Sequence, residues 1–126
     1  MSKELTDEHL QRLERETILW LATTRPDGRP HLTPIWFVWL HQEFYILTTL
    51  ATVKARNLLS NPRASVALES GMRPVIAECV ARLVSAPYAE DLAAAFKRKY
   101  DWDIRRDGEY NGLFALTPRK WLSWNA

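Results

Sequence analysis

Residues 48–57 concentrate the groups that bind phosphate. Within ten positions they place three threonine hydroxyls, one lysine ammonium and one arginine guanidinium beside a predicted helix start at Val53. Backbone N–H groups at a helix start and fixed positive charge together replace the hydration of a phosphate. The segment therefore predicts an anion site. The alternative is a capped surface helix whose basic side chains are solvated.

A planar ligand is indicated by the segment that precedes this one. Residues 33–40 form a predicted strand that is apolar on both faces, whereas a half-solvated strand alternates apolar and polar residues. A second surface must cover it: another sheet face, a partner subunit or a flat ligand. One side carries Pro34, Trp36 and Val38, and the other carries Ile35, Phe37 and Trp39.

Other site chemistries find little support. The histidines His9, His31 and His41 have no carboxylate or cysteine at metal-ligand spacing, so we expect no metal site and interpret them as solvent-facing or hairpin-end residues. No nucleophile elbow or glycine-rich phosphate loop occurs. The catalytic residues are unknown, and a bound cofactor would have to carry any chemistry.

Length and charge indicate a single domain spanning residues 1–126. A net charge of only +2 argues against nucleic acid as a partner. The longest uncharged run, residues 30–42, is too short to cross a membrane, and the absence of a signal peptide predicts a cytoplasmic location. Cys79 is the only cysteine and is predicted to be a core residue.

Hydrophobic periodicity predicts a mainly β chain of six or seven short antiparallel strands with helices at the ends of a small barrel. We predict helices from a Thr6 cap to residue 14, from a Thr52 cap to residue 61, and over residues 87–100, whose basic residues 97–99 form a solvated helix end. Residues 101–110 are predicted to be a loop. The predicted strands are residues 17–23, 33–40, 43–49, 63–70, 75–85, 112–117 and 120–124.

Several ordered blocks make the sequence resemble the pyridoxamine 5'-phosphate oxidase-like family of FMN-binding split barrels. The blocks are residues 20–37, 52–58, 61–66, 99–100 and 118–124, so the resemblance covers nearly the whole chain. It implies a six-stranded antiparallel Greek-key split barrel. It also implies a homodimer with two equivalent flavin sites in the clefts between subunits.

The resemblance also implies roles for individual residues. The isoalloxazine ring would lie along Thr33, Pro34, Ile35, Trp36 and Phe37. The cofactor phosphate would be held by Thr48, Thr49 and Lys54 with Arg56 or Asn57. A ring from the partner chain, Trp121 or Trp124, would approach the flavin.

The expected function is that of a flavin-dependent oxidoreductase that binds FMN and transfers hydride to or from a small organic substrate, with a nicotinamide as a possible donor. The arginine-rich C-terminal segment of the true oxidase is missing, so pyridoxamine phosphate oxidation is not expected. Three alternatives stay open: a reductase that uses the deazaflavin coenzyme (F-420), a flavin-binding or sensing protein with little turnover, and a structural dimer without a cofactor.

Overall fold

The computed structural model describes residues 5–123 and contains one seven-stranded antiparallel sheet with three helices. The strand order is β2-β1-β5-β6-β7-β4-β3. The helices are α1 (Asp7–Arg15), α2 (Val53–Ser60) and α3 (Glu90–Tyr100). The strands are β1 (Ile18–Thr24), β2 (Pro30–Trp36), β3 (Val38–Leu40), β4 (Glu43–Thr48), β5 (Arg63–Leu68), β6 (Val75–Val84) and β7 (Gly112–Ser123).

The sheet curls into a barrel because its two end strands are consecutive in the chain. β2 pairs with β1, β3 pairs with β4, and only Phe37 separates β2 from β3. One stretch of chain therefore joins the first and last members of the strand order. The predicted mainly β split barrel is confirmed, and its six strands become seven because one of them is interrupted.

The interruption at Phe37 corrects the prediction of an unbroken strand over residues 33–40. The Tyr100 hydroxyl accepts the Phe37 N–H at 3.0 Å and can donate to the Phe37 carbonyl oxygen, which lies 2.6 Å away. Both backbone groups are thus removed from the sheet ladder. The faces nevertheless alternate through the break: Phe37 belongs to the interior cluster, and Val38 belongs to the cluster beneath α3 on the outer face. The predicted alternation, with Phe37 on the side opposite Val38, is therefore confirmed.

The last strand also differs from its prediction, since residues 112–117 and 120–124 belong largely to one strand, β7, which the structure follows to Ser123. The register between β6 and β7 shifts at Cys79: Glu78 lies opposite Lys120, and Cys79 lies opposite Pro118. The extra residue, Arg119, forms a bulge that accommodates the proline without ending the strand.

Two of the three helices, α1 and α2, begin where the sequence predicts, and α3 does not. The Thr6 and Thr52 side chains accept backbone N–H groups of α1 and α2, as predicted. His9, however, is buried, and its Nδ1 accepts the Thr6 N–H, so it completes a capping box rather than facing solvent. α3 begins at Glu90, three residues after the predicted start, because Ala89 is extended at the N-cap.

Two apolar clusters explain which faces of the sheet are covered. Inside the barrel, Phe44, Phe114 and their neighbours are buried, with Cys79 among them as predicted. On the outside, α3 packs Leu92 and Phe96 over β3, β4 and β7. The outer face of β1 and β2 receives no helix. Its apolar side chains remain exposed: Trp20, Leu32 and Trp36.

The basic end of α3 is not fully solvated, contrary to the prediction. Lys97 pairs with Asp101 at the surface, but the Lys99 ammonium is buried 4.1 Å above the Phe37 ring centroid, with no hydrogen-bond partner in the described chain. Burial lowers the pKa of Lys99 to about 8, although Glu14 and Glu16 oppose the shift. Attraction between the cation and the ring offsets part of the desolvation cost.

We expect Tyr100→Phe to lower the free energy of unfolding by about 1–3 kcal/mol, because it leaves the Phe37 N–H buried without an acceptor. Tyr110→Phe is the matched control, since no described residue bonds to the Tyr110 hydroxyl, and we expect a change below about 0.5 kcal/mol. Urea denaturation measures both. Equal stability of Tyr100→Phe and the native chain would contradict this account of the interruption.

Candidate functional site

The turn before α2 is built largely from its own threonine hydroxyls. The Thr52 hydroxyl donates to the Thr49 carbonyl oxygen at 2.8 Å and accepts the Ala55 N–H at 3.3 Å. The buried Thr48 hydroxyl lies 3.3 Å from the Thr52 hydroxyl. Because Thr52 donates elsewhere, Thr48 is the donor in that contact. Thr49 is the least engaged, with a long 3.4 Å contact to the Glu109 carbonyl oxygen.

The start of α2 presents free donors beside this turn. Within the described chain, the N–H groups of Val53 and Lys54 meet no hydrogen-bond acceptor. The Lys54 side chain is partly buried and forms no salt bridge with any described residue, and burial lowers its pKa. Unpaired amides and an unpaired ammonium at a helix start are the groups that an anion would satisfy.

Two residues outside the predicted phosphate set, His31 and Arg25, lie close to the start of α2. The His31 Nδ1 atom is buried and has no partner among the described residues. Burial lowers the pKa of His31, and the nearby charges of Arg25 and Lys54 lower it further. Sequence spacing did not reveal this histidine, because the hairpin between β1 and β2 brings it to the helix.

The two other predicted phosphate residues are placed differently. Asn57 is buried, and its Nδ2 donates to the Thr23 hydroxyl at 3.0 Å. Thr23 lies opposite His31 in the β1–β2 register. Asn57 therefore holds α2 against the hairpin. Arg56 is exposed and lines a groove of about 430 Å³ together with Arg25 and Arg29.

An aromatic cleft of about 590 Å³ lies at the other end of β2. Pro34, Ile35 and Trp36 line it, and Thr33 precedes them in the same strand. The Trp36 indole stacks on the Tyr100 ring, with centroids 4.5 Å apart and planes within 7°. Phe37 does not line the cleft, because its side chain lies in the barrel interior.

The loop after α3 forms the opposite wall of this cleft. It contributes Trp102, Asp107 and Tyr110, none of which was predicted as a site residue. The loop continues to the α2 turn, where the Asn111 side chain accepts the Leu50 N–H at 2.9 Å. At Gly112 an added Cβ would lie 2.9 Å from the Leu50 Cδ2 atom and 3.2 Å from the Thr48 carbonyl oxygen, so a larger residue would displace the Leu50 side chain. Two aromatic residues within a polar segment, Trp102 and Tyr110, were the available sequence signal.

β2 connects the two regions. His31 and Trp36 are five residues apart in an extended strand, which is about 16 Å. Among the described residues β2 pairs only with β1, so its second edge leaves backbone donors and acceptors free. The arrangement suits a ligand with an anionic group at one end and a flat ring at the other.

The remaining candidates contribute little here. Trp121 packs against Trp39 and Phe44 of its own chain, with ring centroids 5.8 and 5.9 Å apart. Trp124 lies outside the described residues. Over residues 5–123, no group of three or more histidine, cysteine, aspartate or glutamate residues is placed to hold a metal ion. No described helix has the length and apolar character needed to span a membrane.

Comparisons with known proteins agree with this architecture. A family model described as pyridoxamine 5'-phosphate oxidase matches residues 5–125. A search of curated protein sequences gives no match.

Solved structures with the same fold include proteins of different kinds. The haem storage protein HutZ from Vibrio cholerae is 21% identical, with 93% of each chain covered and a TM-score of 0.77. An F420 reductase is 22% identical, covering 94% of this chain and 98% of its own, with a TM-score of 0.76. A putative pyridoxamine 5'-phosphate oxidase from Listeria innocua is 20% identical, covering 98% and 100%, with a TM-score of 0.77. At these identities the likeness shows the fold alone.

We expect sulfate to raise the pKa of His31 from below its ordinary value of 6.5, because a bound dianion favours the imidazolium. Proton NMR of the imidazole resonances across a pH titration measures the shift, with sodium chloride at equal ionic strength as the control. Sulfate remains a dianion over the pH range of the titration. The His41 resonance is the internal control, since His41 lies at the surface beside Asp91. A His31 titration unaffected by sulfate would exclude this residue from the anion site.

Proposed function

Since the chain belongs to the pyridoxamine 5'-phosphate oxidase family, we propose that it is a flavin-dependent oxidoreductase that binds FMN and transfers hydride to or from a small organic substrate. The observation that carries the proposal is the pairing of an unsatisfied anion site with an apolar aromatic cleft along one strand, β2. Flat heteroaromatic cofactors that carry a phosphate need both regions at once.

The anion end is suited to the FMN phosphate. Lys54 would supply a charge-assisted hydrogen bond, and the free N–H groups of Val53 and Lys54 would supply further donors. The orphaned Nδ1 of His31 gains a partner when an anion is present. Thr49 can turn its hydroxyl towards the same anion, since its present contact is long. These residues therefore fit the phosphate group.

The ring end is suited to the isoalloxazine. Pro34, Ile35 and Trp36 offer apolar surface, and the free edge of β2 offers backbone N–H and C=O groups to the polar edge of a ring. When bound, the flavin supplies hydride transfer. The chain supplies placement, exclusion of water, and donors whose charge complementarity stabilises the reduced anion.

Two alternatives rest on specific observations. The groove with Arg25, Arg29 and Arg56 extends the basic region beyond Lys54 and suits the longer anionic tail of the deazaflavin coenzyme.

The second alternative concerns catalysis, since the described cleft lining contains aspartate and tyrosine but no histidine, lysine or arginine. This limited set of acid–base groups is also compatible with a flavin-binding or sensing protein with little turnover.

A homodimer would complete the site. The outer face of β1 and β2 has no cover within the described chain, and Leu32 is 63% exposed there while Trp36 is 47% exposed. Apolar surface of this kind marks interfaces, and a two-fold interface buries the same patch on both copies. Pro34 and Trp36, which are exposed on this face, also line the aromatic cleft, so a second copy packed here would help to enclose a bound ring.

Lys54→Ala should weaken FMN binding by about 1.5–3 kcal/mol, or roughly 10- to 150-fold in Kd, because it removes a charged phosphate contact. Fluorescence titration of cofactor-free protein with FMN measures the change. Arg15→Ala removes one positive charge from the exposed surface of α1 and is the control. Equal FMN affinity of the Lys54 variant and the native chain would contradict the phosphate assignment.

Leu32→Asp should convert the dimer into a monomer, since it places two carboxylates in the centre of a two-fold apolar interface without disturbing the core. Size-exclusion chromatography with light scattering measures the mass at micromolar concentration. Met72→Asp, at a turn residue 71% exposed, is the control and should stay dimeric. A monomeric native chain would contradict the two-copy site.

A further inference from the structure

The aromatic cleft contains three rings set at steep angles to one another, which we call the aromatic box (Trp36, Trp102 and Tyr110). The Trp36 and Trp102 centroids are 6.0 Å apart at 75°. The Trp102 and Tyr110 centroids are 5.2 Å apart at 88°. Tyr100 stacks flat on Trp36 and fixes the plane of its indole. In these edge-to-face pairs the edge of one ring packs toward the face of the other, and the π faces of all three rings carry partial negative charge.

Asp107 adds a full negative charge to the lining of the same cleft. Its Oδ2 accepts the Trp102 Nε1–H at 2.8 Å, and its Oδ1 accepts the N–H groups of Glu109 and Tyr110, each at 3.0 Å. The Tyr110 N–H, followed by the Trp102 indole, holds the pKa of Asp107 below its usual range. The carboxylate is therefore ionised at neutral pH and fixed in place.

No cation within the described chain neutralises this charge. Asp101 pairs with Lys97 and Asp103 pairs with Arg106, but no salt bridge involves Asp107. The described lining of the cleft contains no lysine, arginine or histidine. Aromatic faces beside an unpaired carboxylate are the combination that attracts an organic cation.

We propose that this cleft binds a flat organic cation, such as a substrate with a pyridinium or iminium head. The proposal rests on the proposed function only in placing that cation beside a flavin ring. The two ends of β2 then have opposite preferences: an anionic group near Lys54 and a cationic group near Asp107. An anionic aromatic acid would meet repulsion at the second end.

The test compares two probes of the same shape. The 1-methylnicotinamide cation and neutral 3-methylbenzamide both carry a ring methyl group meta to a carboxamide, and they differ chiefly in charge. Isothermal titration calorimetry on the full chain, as purified and again saturated with FMN, should give about 10-fold tighter binding of the cation. Equal affinities, tighter binding of the neutral probe, or no binding of either would overturn the proposal.

Two variants assign the preference to Asp107. Asp107→Asn removes the charge and should lower the ratio of the two affinities to about 2-fold or less. Asp103→Asn is the matched control, because it removes a carboxylate of the same loop outside the cleft and should keep the native ratio. If Asp107→Asn folded with the native ratio, Asp107 would not be the determinant and the proposal would fail.

The cation proposal and the cofactor proposal fail separately. Lys54→Ala should weaken FMN binding and leave the probe ratio of the cofactor-free protein unchanged. A native chain that rejects FMN but discriminates between the probes would refute the flavin function and keep the cation site. A native chain that binds FMN but has equal affinity for the two probes would refute the cation site and keep the flavin function.

Discussion

The hydroxyl of Tyr100 holds together the part of the barrel on which both halves of the site depend. It accepts the Phe37 N–H, and it can donate to the carbonyl oxygen of Phe37 or of Thr17. Burial raises the pKa of Tyr100 to about 12, so the group keeps its proton. With Phe37 removed from the ladder, the chain can leave one end of the sheet and join the other, and the sheet curls.

The same residue orients the cleft. The Tyr100 ring stacks on Trp36, so the position at which β2 ends is also the position at which the aromatic wall begins. Lys99, the preceding residue, places its ammonium over the Phe37 ring on the inner side of the break. The end of α3 thus determines the strand interruption, the face of Trp36 and the start of the cleft loop. At the far end of β2, Asn57 positions α2 through its hydrogen bond to the Thr23 hydroxyl.

Sequence patterns predicted what local chemistry determines. The Thr6 and Thr52 caps, the strand character of most segments and the polar α2 turn all depend on neighbouring residues, and they were found. The interruption at Phe37 depends on a tyrosine 63 positions later. The burial of Lys99 likewise depends on packing against β3, and neither has a signal within its own segment. The bulge at Arg119 was misinterpreted as a strand end because proline usually stops a ladder.

The sequence predicts the two regions of the candidate site, but it does not predict all the residues that line them. A helix start with Lys54 is a local pattern, so the sequence alone predicts the anion end, which stays a prediction. His31 and Arg25 reach it through the hairpin, and Trp102, Asp107 and Tyr110 reach the cleft through a loop without periodicity. Conversely, Asn57 and Phe37 were predicted as binding residues from their positions in the chain, yet their side chains are engaged in the fold. Tertiary contacts decide which polar groups remain available to a ligand.

An absorbance spectrum of the concentrated purified protein, followed by mass spectrometry of the small molecule released on denaturation, tests the central claim most directly. We expect the absorption bands of an oxidised flavin and the mass of FMN. Release of the deazaflavin coenzyme would assign the chain to that alternative. A colourless protein that also rejects added FMN and added deazaflavin would contradict the account and leave the groups around Lys54 as a solvated helix start.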